Sequence, residues 1–295
     1  MARPTKSHGR LSIQASAKPR DLMGDTPAVA GAWEARVITL FPELFPGVLG
    51  ASLTGKALAE GLWRLTPIDL RRFGEGKHRN VDDTPAGGGA GMVLRADVLE
   101  KALIEAQRGA PDARKAWPII ALSPRGRPFT QARAKALSKG QGMTLIAGRF
   151  EGIDQRFLDH FGVEEVSLGD FVLTGGEIAA MGLIDATVRL IPRVLGNQAS
   201  LDEESFTEGL LEHPHYTKPA VWQGRDIPGV LLSGHHAQID AWRKGEAERL
   251  TKERRPDLWR AYSHTDPDED RELSGAPNSA DQPRAKRSGS DGSDR

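Results

Sequence analysis

A paired-glycine bend with an acidic neighbour is the part of the sequence best suited to ligand chemistry. In the stretch SLGDFVLTGGE, Gly175 and Gly176 separate an apolar strand-like run from an apolar helix-like run, and Asp170 lies close by. Glycine allows a backbone to approach a ligand where a Cβ would collide with it. We therefore expect the backbone on both sides of this bend to wrap a nucleoside-like cofactor.

A second candidate is the stretch LIAGRFEGIDQR. It places Gly148 at the end of a strand, followed by Arg149, Glu151 and a helix that opens near Ile153. A strand end that runs into a helix N-terminus is a natural site for an anion or a nucleotide. A salt-bridged turn is the alternative interpretation of the same residues.

Two further glycine-rich stretches lack the context that their motifs require. GASLTGKA, residues 50–57, has Ala57 where a P-loop has Ser or Thr, so it predicts a turn between helices, with ATP binding as the alternative. DDTPAGGGAGM, residues 82–92, lacks the preceding apolar strand of a dinucleotide-binding loop. Its small residues indicate close approach to a ligand or another chain, or a surface loop.

The histidines do not predict a metal site. His213, His215, His235 and His236 lack the H-E-x-x-H spacing, and the chain has no cysteine. We expect turn or surface histidines and assign no metal ligand. The sequence also lacks the G-x-S-x-G motif of serine hydrolases.

Apolar runs alternate with helical patterns over residues 32–195, as in WEARVITL, LTGKALAEGL and LTPIDLRRF. This order predicts an α/β domain with a mostly parallel sheet. Ligands of such sheets bind at the carboxyl ends of the strands. The loops after Leu122, Ile146 and Leu168 are therefore the expected site.

The rest of the chain lacks this alternation. Both ends and the polar stretch GNQASLDEESFTEG carry no hydrophobic period, and such segments bury too little apolar area to offset ordering entropy. Ser233 is a predicted N-cap for an amphipathic helix that ends before Pro256. We predict a disordered N-terminal extension at 1–31, a flexible interdomain linker at 196–209, a small helical domain at 210–263 and a disordered tail at 264–295.

The helical domain carries basic side chains interleaved with Trp242 and Trp259, a combination that suits phosphate contacts and base stacking. Acidic residues are mixed among them, so a solvated helix with i,i+4 pairs is the alternative. The basic residues are Arg243, Lys244, Arg249, Lys252, Arg254, Arg255 and Arg260.

The composition of the chain limits which classes of protein it can belong to. The 295 residues contain 40 basic and 40 acidic side chains, so no global charge attracts nucleic acid. The absence of cysteine excludes disulfides and thiolate nucleophiles. No run is long enough for a membrane span and no secretory signal is visible, which favours a cytoplasmic protein. The basic, Ser-containing start also suits a transit peptide, a disordered extension or a start at Met23.

Six motifs together resemble the bacterial tRNA (guanine-N1)-methyltransferases, the TrmD family. They are DDTPAGGGAGM, GRFEGIDQR, SLGDFVLTGGE, IPRVLGNQ, EESFTEGLLEHPHYTKP and VLLSGHHAQIDAWR, in family order between about residues 33 and 262. The resemblance implies a SPOUT-type α/β fold with a mostly parallel sheet and a deep trefoil knot, plus a small C-terminal helical domain. It also implies a homodimer that binds S-adenosylmethionine in the knot, at the subunit interface.

The resemblance assigns roles to individual residues, and it makes Mg²⁺ a candidate ion without a visible site. The residues that match the tRNA-binding positions are Ser205, His215, Tyr216, Arg243, Lys252 and Arg255. The residues that match the cofactor-binding positions are Leu122, Ser123, Pro124, Gly148, Phe150, Glu151, Leu168, Gly169, Asp170, Phe171, Val172, Leu173, Gly175 and Gly176.

The implied reaction is methyl transfer to N1 of guanosine 37 in the anticodon stem-loop of tRNA, after another guanosine. Because this N1 carries a proton, a base must remove it. Glu204 stands where the family has a catalytic aspartate, and Glu203 is the alternative. Arg189 matches the arginine that stabilises charge on guanine O6, and Glu151 matches a catalytic residue near the cofactor and the base.

The sequence departs from the family at four positions that leave the reaction class intact. Ala86 replaces an aromatic residue, Ala90 a proline, and Phe150 and Phe171 replace tyrosines. A non-catalytic RNA-binding module that keeps the fold is the rival class of protein. Such a module would not need Arg189 together with a carboxylate in the linker.

Overall fold

A computed structural model describes residues 31–195, 204–206 and 208–264. The chain divides into two compact units, Met1–Gln198 and Ala199–Arg295. The two predicted disordered ends, apart from residues 31 and 264, and most of the predicted linker lie outside the described residues.

The first unit alternates strands and helices, as the sequence predicts. Its helices are α1 Ser52–Ala59, α2 Ala96–Ala106, α3 Gln131–Ser138, α4 Gln155–Phe161 and α5 Glu177–Val188. Its strands are β1 Trp33–Thr39, β2 Trp63–Asp69, β3 Asp82–Asp83, β4 Val93–Leu94, β5 Ile119–Pro128, β6 Gly142–Ile146, β7 Gly152–Ile153 and β8 Glu164–Ser167.

Five strands form the central sheet in the order β2-β1-β6-β5-β8, and every neighbouring pair is parallel. The predicted α/β class with a mostly parallel sheet is therefore confirmed. Successive side chains of β5 alternate between the two faces, with Ile120 and Leu122 in one core cluster and Ile119 and Ala121 in the other. Both faces are buried under helices, which explains why the strands read as continuous apolar runs.

A smaller sheet lies beside the central one. Its order is β3-β4-β7, with β3 antiparallel and β7 parallel to β4. The glycine-rich loop predicted to approach a ligand or another chain connects β3 to β4. Four glycines of this loop have positive φ, a backbone region that disfavours other residues: Gly87, Gly88, Gly89 and Gly91.

Two segments named in the sequence analysis, residues 50–57 and the apolar run after β8, differ in conformation from a simple loop or strand. The motif at 50–57 forms the start of α1, where the amide of Gly55 donates to Ala51 O at 2.9 Å. The prediction of a turn was therefore wrong for residues 52–57, which are helical, and the Gly55 amide is used within this helix instead of being free for a phosphate. The apolar run after β8 does not continue the strand, because β8 ends at Ser167 and the chain from Leu168 to Gly176 is a loop.

The second unit contains a short hairpin and two helices in its described part. The hairpin pairs β9 Val221–Trp222 with β10 Arg225–Asp226, and the helices are α6 His236–Arg254 and α7 Pro256–Ser263. The predicted N-cap was wrong: α6 begins at His236, and Ser233 accepts the His235 amide within the preceding turn. No helix in the described ranges is long and apolar enough to cross a bilayer.

Candidate active site

A cleft of about 400 Å³ opens at the carboxyl edge of the central sheet. Three chain segments build it: residues 121–125 within β5, residues 148–153 after β6, and residues 165–176 around the end of β8. They correspond to the three positions predicted from the sequence as the ligand site, although residues 121–125 lie within β5, whose pairing with β8 shifts register between Leu122 and Arg127. The volume suits a small organic ligand, since such pockets usually enclose about 300–1,000 Å³.

The paired glycines allow two of these segments to pack closely. A Cβ on Gly176 would lie 2.8 Å from Ala147 Cα, and the Gly176 amide donates to Gly148 O at 2.9 Å. A Cβ on Gly175 would lie 2.1 Å from Nε of Arg149. Both glycines line the cleft, but their nearest neighbours are protein atoms. Glycine is therefore required here by contacts within the protein, in addition to the room for a ligand that the sequence analysis expected.

A buried carboxylate fixes this junction. Glu177, the first residue of α5, is 1% exposed, and its Oε1 accepts a hydrogen bond from Thr39 Oγ1 at 2.8 Å. Its Oε2 accepts from Arg149 Nη2 at 2.8 Å. The Arg149 guanidinium also donates to Thr174 O and lies 4.5 Å from the Phe41 ring centroid. Glu177 therefore ties the ends of β1 and β6 to the start of α5.

Gly148 differs from the paired glycines because it faces free space. The closest protein atoms to a Cβ built there are Ile153 Cδ1 and Leu122 O, both at 3.8 Å. An added methyl would therefore fit the protein and take up room in the cleft. This is the pattern expected where a ligand approaches the backbone, so the cleft fits a cofactor held by main-chain groups.

All but one of the predicted cofactor-binding residues line the cleft. Asp170 is exposed and is not part of the lining. The remaining thirteen line it: Leu122, Ser123, Pro124, Gly148, Phe150, Glu151, Leu168, Gly169, Phe171, Val172, Leu173, Gly175 and Gly176. Sequence reasoning did not assign five polar lining residues, namely Arg125, Arg149, Glu165, Ser167 and Thr174.

Large apolar side chains are exposed at the mouth of the cleft. Phe171 is 55% exposed, Val172 83% and Phe150 51%. Phe150 also has φ of 61°, which is unusual for a bulky residue and marks local strain. Ile178, on the first turn of α5, is exposed as well. Such a group of apolar side chains is typical of a surface that contacts a ligand or another chain.

Two predicted catalytic residues belong to the first unit. Glu151 lines the cleft, and its amide donates to Met92 O at 2.9 Å. A Cβ on Gly91 would lie 2.3 Å from Glu151 Cγ, so the glycine-rich loop packs against this carboxylate. Arg189 follows the last turn of α5, where its amide donates to Asp185 O, and it is not part of the cleft lining.

The predicted base, Glu204, belongs to the second unit. It lines a cavity of about 250 Å³ in that unit, together with His213 and part of α6. Ser205 Oγ accepts a hydrogen bond from the Glu212 amide at 2.9 Å, so this turn has a defined backbone. Glu203, the alternative base, lies outside the described residues.

The other predicted tRNA-binding residues lie on the surface of the second unit. His215 Nε2 is 2.9 Å from Glu212 Oε1, and the rings of Tyr216 and Trp242 are 6.0 Å apart. Lys252 Nζ lies 5.6 Å from the centroid of the Trp259 ring. Arg243, the fifth predicted residue, is near Asp240, with 3.7 Å between Nη1 and Oδ1.

Arg255 forms a two-point ion pair with Asp257 at 2.9 and 2.6 Å. The hydrogen bond from the guanidinium lowers the pKa of Asp257 from 3.8 to about 2. The same interaction raises the pKa of Arg255. Arg249 likewise pairs with both Glu246 and Glu253. Much of the basic charge predicted for α6 and α7 is therefore neutralised locally.

Among the described residues, no group of three or more His, Asp or Glu side chains is arranged to hold a metal ion. The candidate Mg²⁺ therefore has no ligand set in the described part of the chain.

The fold and the site define an α/β protein with a nucleoside-sized cleft at the carboxyl edge of a parallel sheet. The family described as "tRNA (Guanine-1)-methyltransferase TrmD" matches residues 34–261. The chain belongs to this family, which confirms the family and the class of enzyme predicted from the sequence motifs.

Several relatives named "tRNA (guanine-N(1)-)-methyltransferase" match over nearly their whole length. The protein of Cereibacter sphaeroides strain KD131 is 71% identical over 246 residues, which cover 82% of this chain and 99% of the relative. The Ruegeria pomeroyi protein is 63% identical, with 83% and 100% covered. The Brucella ovis protein is 55% identical, with 79% and 93% covered.

Proposed function

We propose that this protein transfers a methyl group from S-adenosylmethionine to N1 of guanosine 37 in tRNA, next to the anticodon and after another guanosine. The observation that carries the proposal is the cleft. Three loops with the family's motif residues meet there around a space of nucleoside size, in a chain that belongs to the family.

The cleft residues would hold S-adenosylmethionine mainly through the backbone. Gly148 and the loop from Leu168 to Leu173 offer amides and carbonyls, and the apolar side chains around them exclude water. Bound there, the cofactor supplies an electrophilic methyl group. Glu177 and Arg149 fix the loop ends, so the cradle would keep its shape before the cofactor binds.

The chain's own acid-base groups would act on the target base. Glu204 would accept the proton of guanine N1, which makes that nitrogen nucleophilic. Arg189 would stabilise the negative charge that develops on guanine O6. Glu151, at the cleft, would orient the base relative to the methyl group. No step is assigned to Mg²⁺, because the described residues provide no ligand set for it.

The proposal includes a homodimer in which one subunit supplies the cleft and the other supplies Glu204. The exposed Phe171, Val172 and Ile178 support it, since a partner subunit would bury these apolar side chains. The deep trefoil knot, the assignment of residues 32–195 as the catalytic domain and a cytoplasmic location belong to the same proposal. The predicted linker, residues 196–209, would carry Glu204 to the partner's cleft.

The helical domain, residues 210–263, would contact the anticodon stem-loop. Tyr216 and Trp242 form an aromatic pair, and Lys252 adds a cation beside Trp259. Ser205, His215, Arg243 and Arg255 would contribute hydrogen bonds or phosphate contacts.

The decisive test is incubation with labelled S-adenosylmethionine and unmodified tRNA, followed by nucleoside analysis. We expect 1-methylguanosine at position 37, and its absence with active cofactor binding would favour the non-catalytic RNA-binding class. Calorimetry with ATP is the control for residues 50–57. We expect no ATP binding there, because this motif forms the start of α1.

A further inference from the structure

The segment between β2 and β3 carries unpaired positive charge. Arg71, Arg72, Lys77, His78 and Arg79 are all exposed. Within the described ranges, none of the four Lys and Arg side chains forms an ion pair with an acidic residue. We call residues 71–79 the cationic loop.

Seven other arginines of the same unit are neutralised by neighbouring carboxylates, whereas the exposed cations of the loop are close together in the sequence. In a chain of zero net charge, a group of unpaired cations is a local feature that can attract an anionic partner. The neutralised pairs are Arg36–Glu34, Arg95–Asp97, Arg108–Glu105, Arg125–Glu165, Arg133–Glu164, Arg149–Glu177 and Arg156–Asp154.

The cationic loop has a defined backbone. Glu75 and Asn80 exchange two backbone hydrogen bonds of 3.1 and 2.9 Å, which close a small hairpin. The Glu75 carboxylate is anchored by Arg95 at 2.8 Å and by Lys101 at 3.1 Å. A Cβ on Gly74 would lie 2.3 Å from Arg79 O, so the two arms pack tightly. The cations are therefore presented on a folded element.

The cationic loop begins at the same edge of the sheet as the cleft. Asp69, the last residue of β2, pairs with Thr39 of β1, and Ile38 pairs with Ile146 at the end of β6. With about 4.8 Å between neighbouring strands, the ends of β2 and β6 are roughly 10 Å apart. The small sheet β3-β4-β7 also connects the end of the loop to Gly152, which lines the cleft.

We propose that the cationic loop binds the sugar-phosphate backbone of the RNA substrate beside the nucleotide whose base enters the cleft. The inference rests on the proposed function and adds a contact surface in the unit that holds the cleft. A polynucleotide fits better than a small anion, because the exposed cations are spread over nine residues. Phosphate contacts of this kind fix the position of the RNA.

The test uses the double substitution Arg72→Gln/Lys77→Gln in the full chain. Its matched control is Lys115→Gln/Lys139→Gln, which removes the same charge from exposed residues before β5 and β6, at the opposite edge of the sheet. Binding of unmodified tRNA is measured as a function of KCl concentration. S-adenosylmethionine affinity and thermal stability are measured for both variants.

For the loop variant we expect the slope of log K against log salt to fall by about 1.4–1.8, because each phosphate contact contributes about 0.7–0.9. Binding at about 0.15 M salt should weaken roughly 15- to 30-fold by the same relation. The KM for tRNA should rise while kcat stays unchanged. The control variant should match the unsubstituted protein in every measurement.

A loop variant with unchanged slope and tRNA affinity would overturn the inference. Binding to vesicles of anionic phosphatidylglycerol is measured as well. The inference would also be overturned if the loop substitutions weakened binding to these vesicles and left tRNA binding unchanged. Failure of the proposed function is distinguishable: the unsubstituted protein would then bind tRNA without methylating it. The loop variant would still show the reduced slope if the cationic loop contacts RNA.

Discussion

Replacement of Gly148 by alanine should separate ligand binding from folding. A Cβ at this position meets no protein atom closer than 3.8 Å, and the backbone does not have positive φ. The fold should therefore accept the methyl group. Alanine also restricts the unfolded chain, so the free energy of unfolding should stay equal or rise by up to about 1 kcal/mol.

The same methyl group should obstruct the cofactor. It would occupy the part of the cleft between the loops at residues 121–125 and 148–153, where a ligand approaches the backbone. Forcing one extra methyl into a close-packed contact costs about 1–3 kcal/mol. At about 1.4 kcal/mol per tenfold change, S-adenosylmethionine should bind roughly 5- to 150-fold more weakly. Isothermal calorimetry gives the affinity, and denaturant unfolding gives the stability.

Gly176→Ala is the matched control because its clash is with protein. The new Cβ would lie 2.8 Å from Ala147 Cα and 2.9 Å from Gly148 N, and backbone atoms cannot move aside cheaply. This variant should lose about 1–3 kcal/mol of stability. If Gly148→Ala bound the cofactor as tightly as the unsubstituted protein, the cleft would not be the cofactor site and the reasoning would fail.

Three further predictions address the remaining groups. Glu204→Gln should keep S-adenosylmethionine affinity and reduce the single-turnover methylation rate about 100-fold, as loss of a general base does; an unchanged rate would assign the proton to another group. Glu177→Ala should destabilise the first unit by about 3 kcal/mol, because it leaves Arg149 without its buried partner, and urea unfolding without a shift would contradict this role. The depressed pKa of Asp257 means that its pairing with Arg255 contributes stability above about pH 4 and loses it as pH falls toward 2. The stability difference between the unsubstituted protein and Asp257→Asn should therefore shrink over that interval, and a constant difference would show that the ion pair has no linked proton.

The sheet and the location of the cleft could be predicted from the sequence because both depend on regular patterns. Apolar runs alternating with helical periods require a parallel sheet covered on both faces. That sheet in turn directs ligands to the carboxyl ends of its strands. The loops after Leu122, Ile146 and Leu168 were found in this way. The individual cofactor residues came from the family resemblance, and thirteen of the fourteen line the cleft.

The network around Glu177 could not be predicted because it depends on contacts between distant residues. Thr39 and Glu177 are 138 residues apart, and neither the charge nor the spacing of either one indicates the other. The packing role of the paired glycines could not be predicted for the same reason. The Arg149 side chain, which occupies the space beside Gly175, is distant from it in the sequence. The cationic loop could not be predicted either, because the pairing of charges, unlike their number, is a property of the fold.

The bridge from Thr39 to Glu177 also bears on how the protein acquires its structure. Because this bridge joins β1 to α5, the cleft cannot form until the chain as far as Glu177 has been synthesised. Contacts of such long sequence separation slow folding, since a large loop must be ordered before they form. During synthesis, the early strands should therefore remain partly exposed to solvent until α5 has been made and can pack against the sheet.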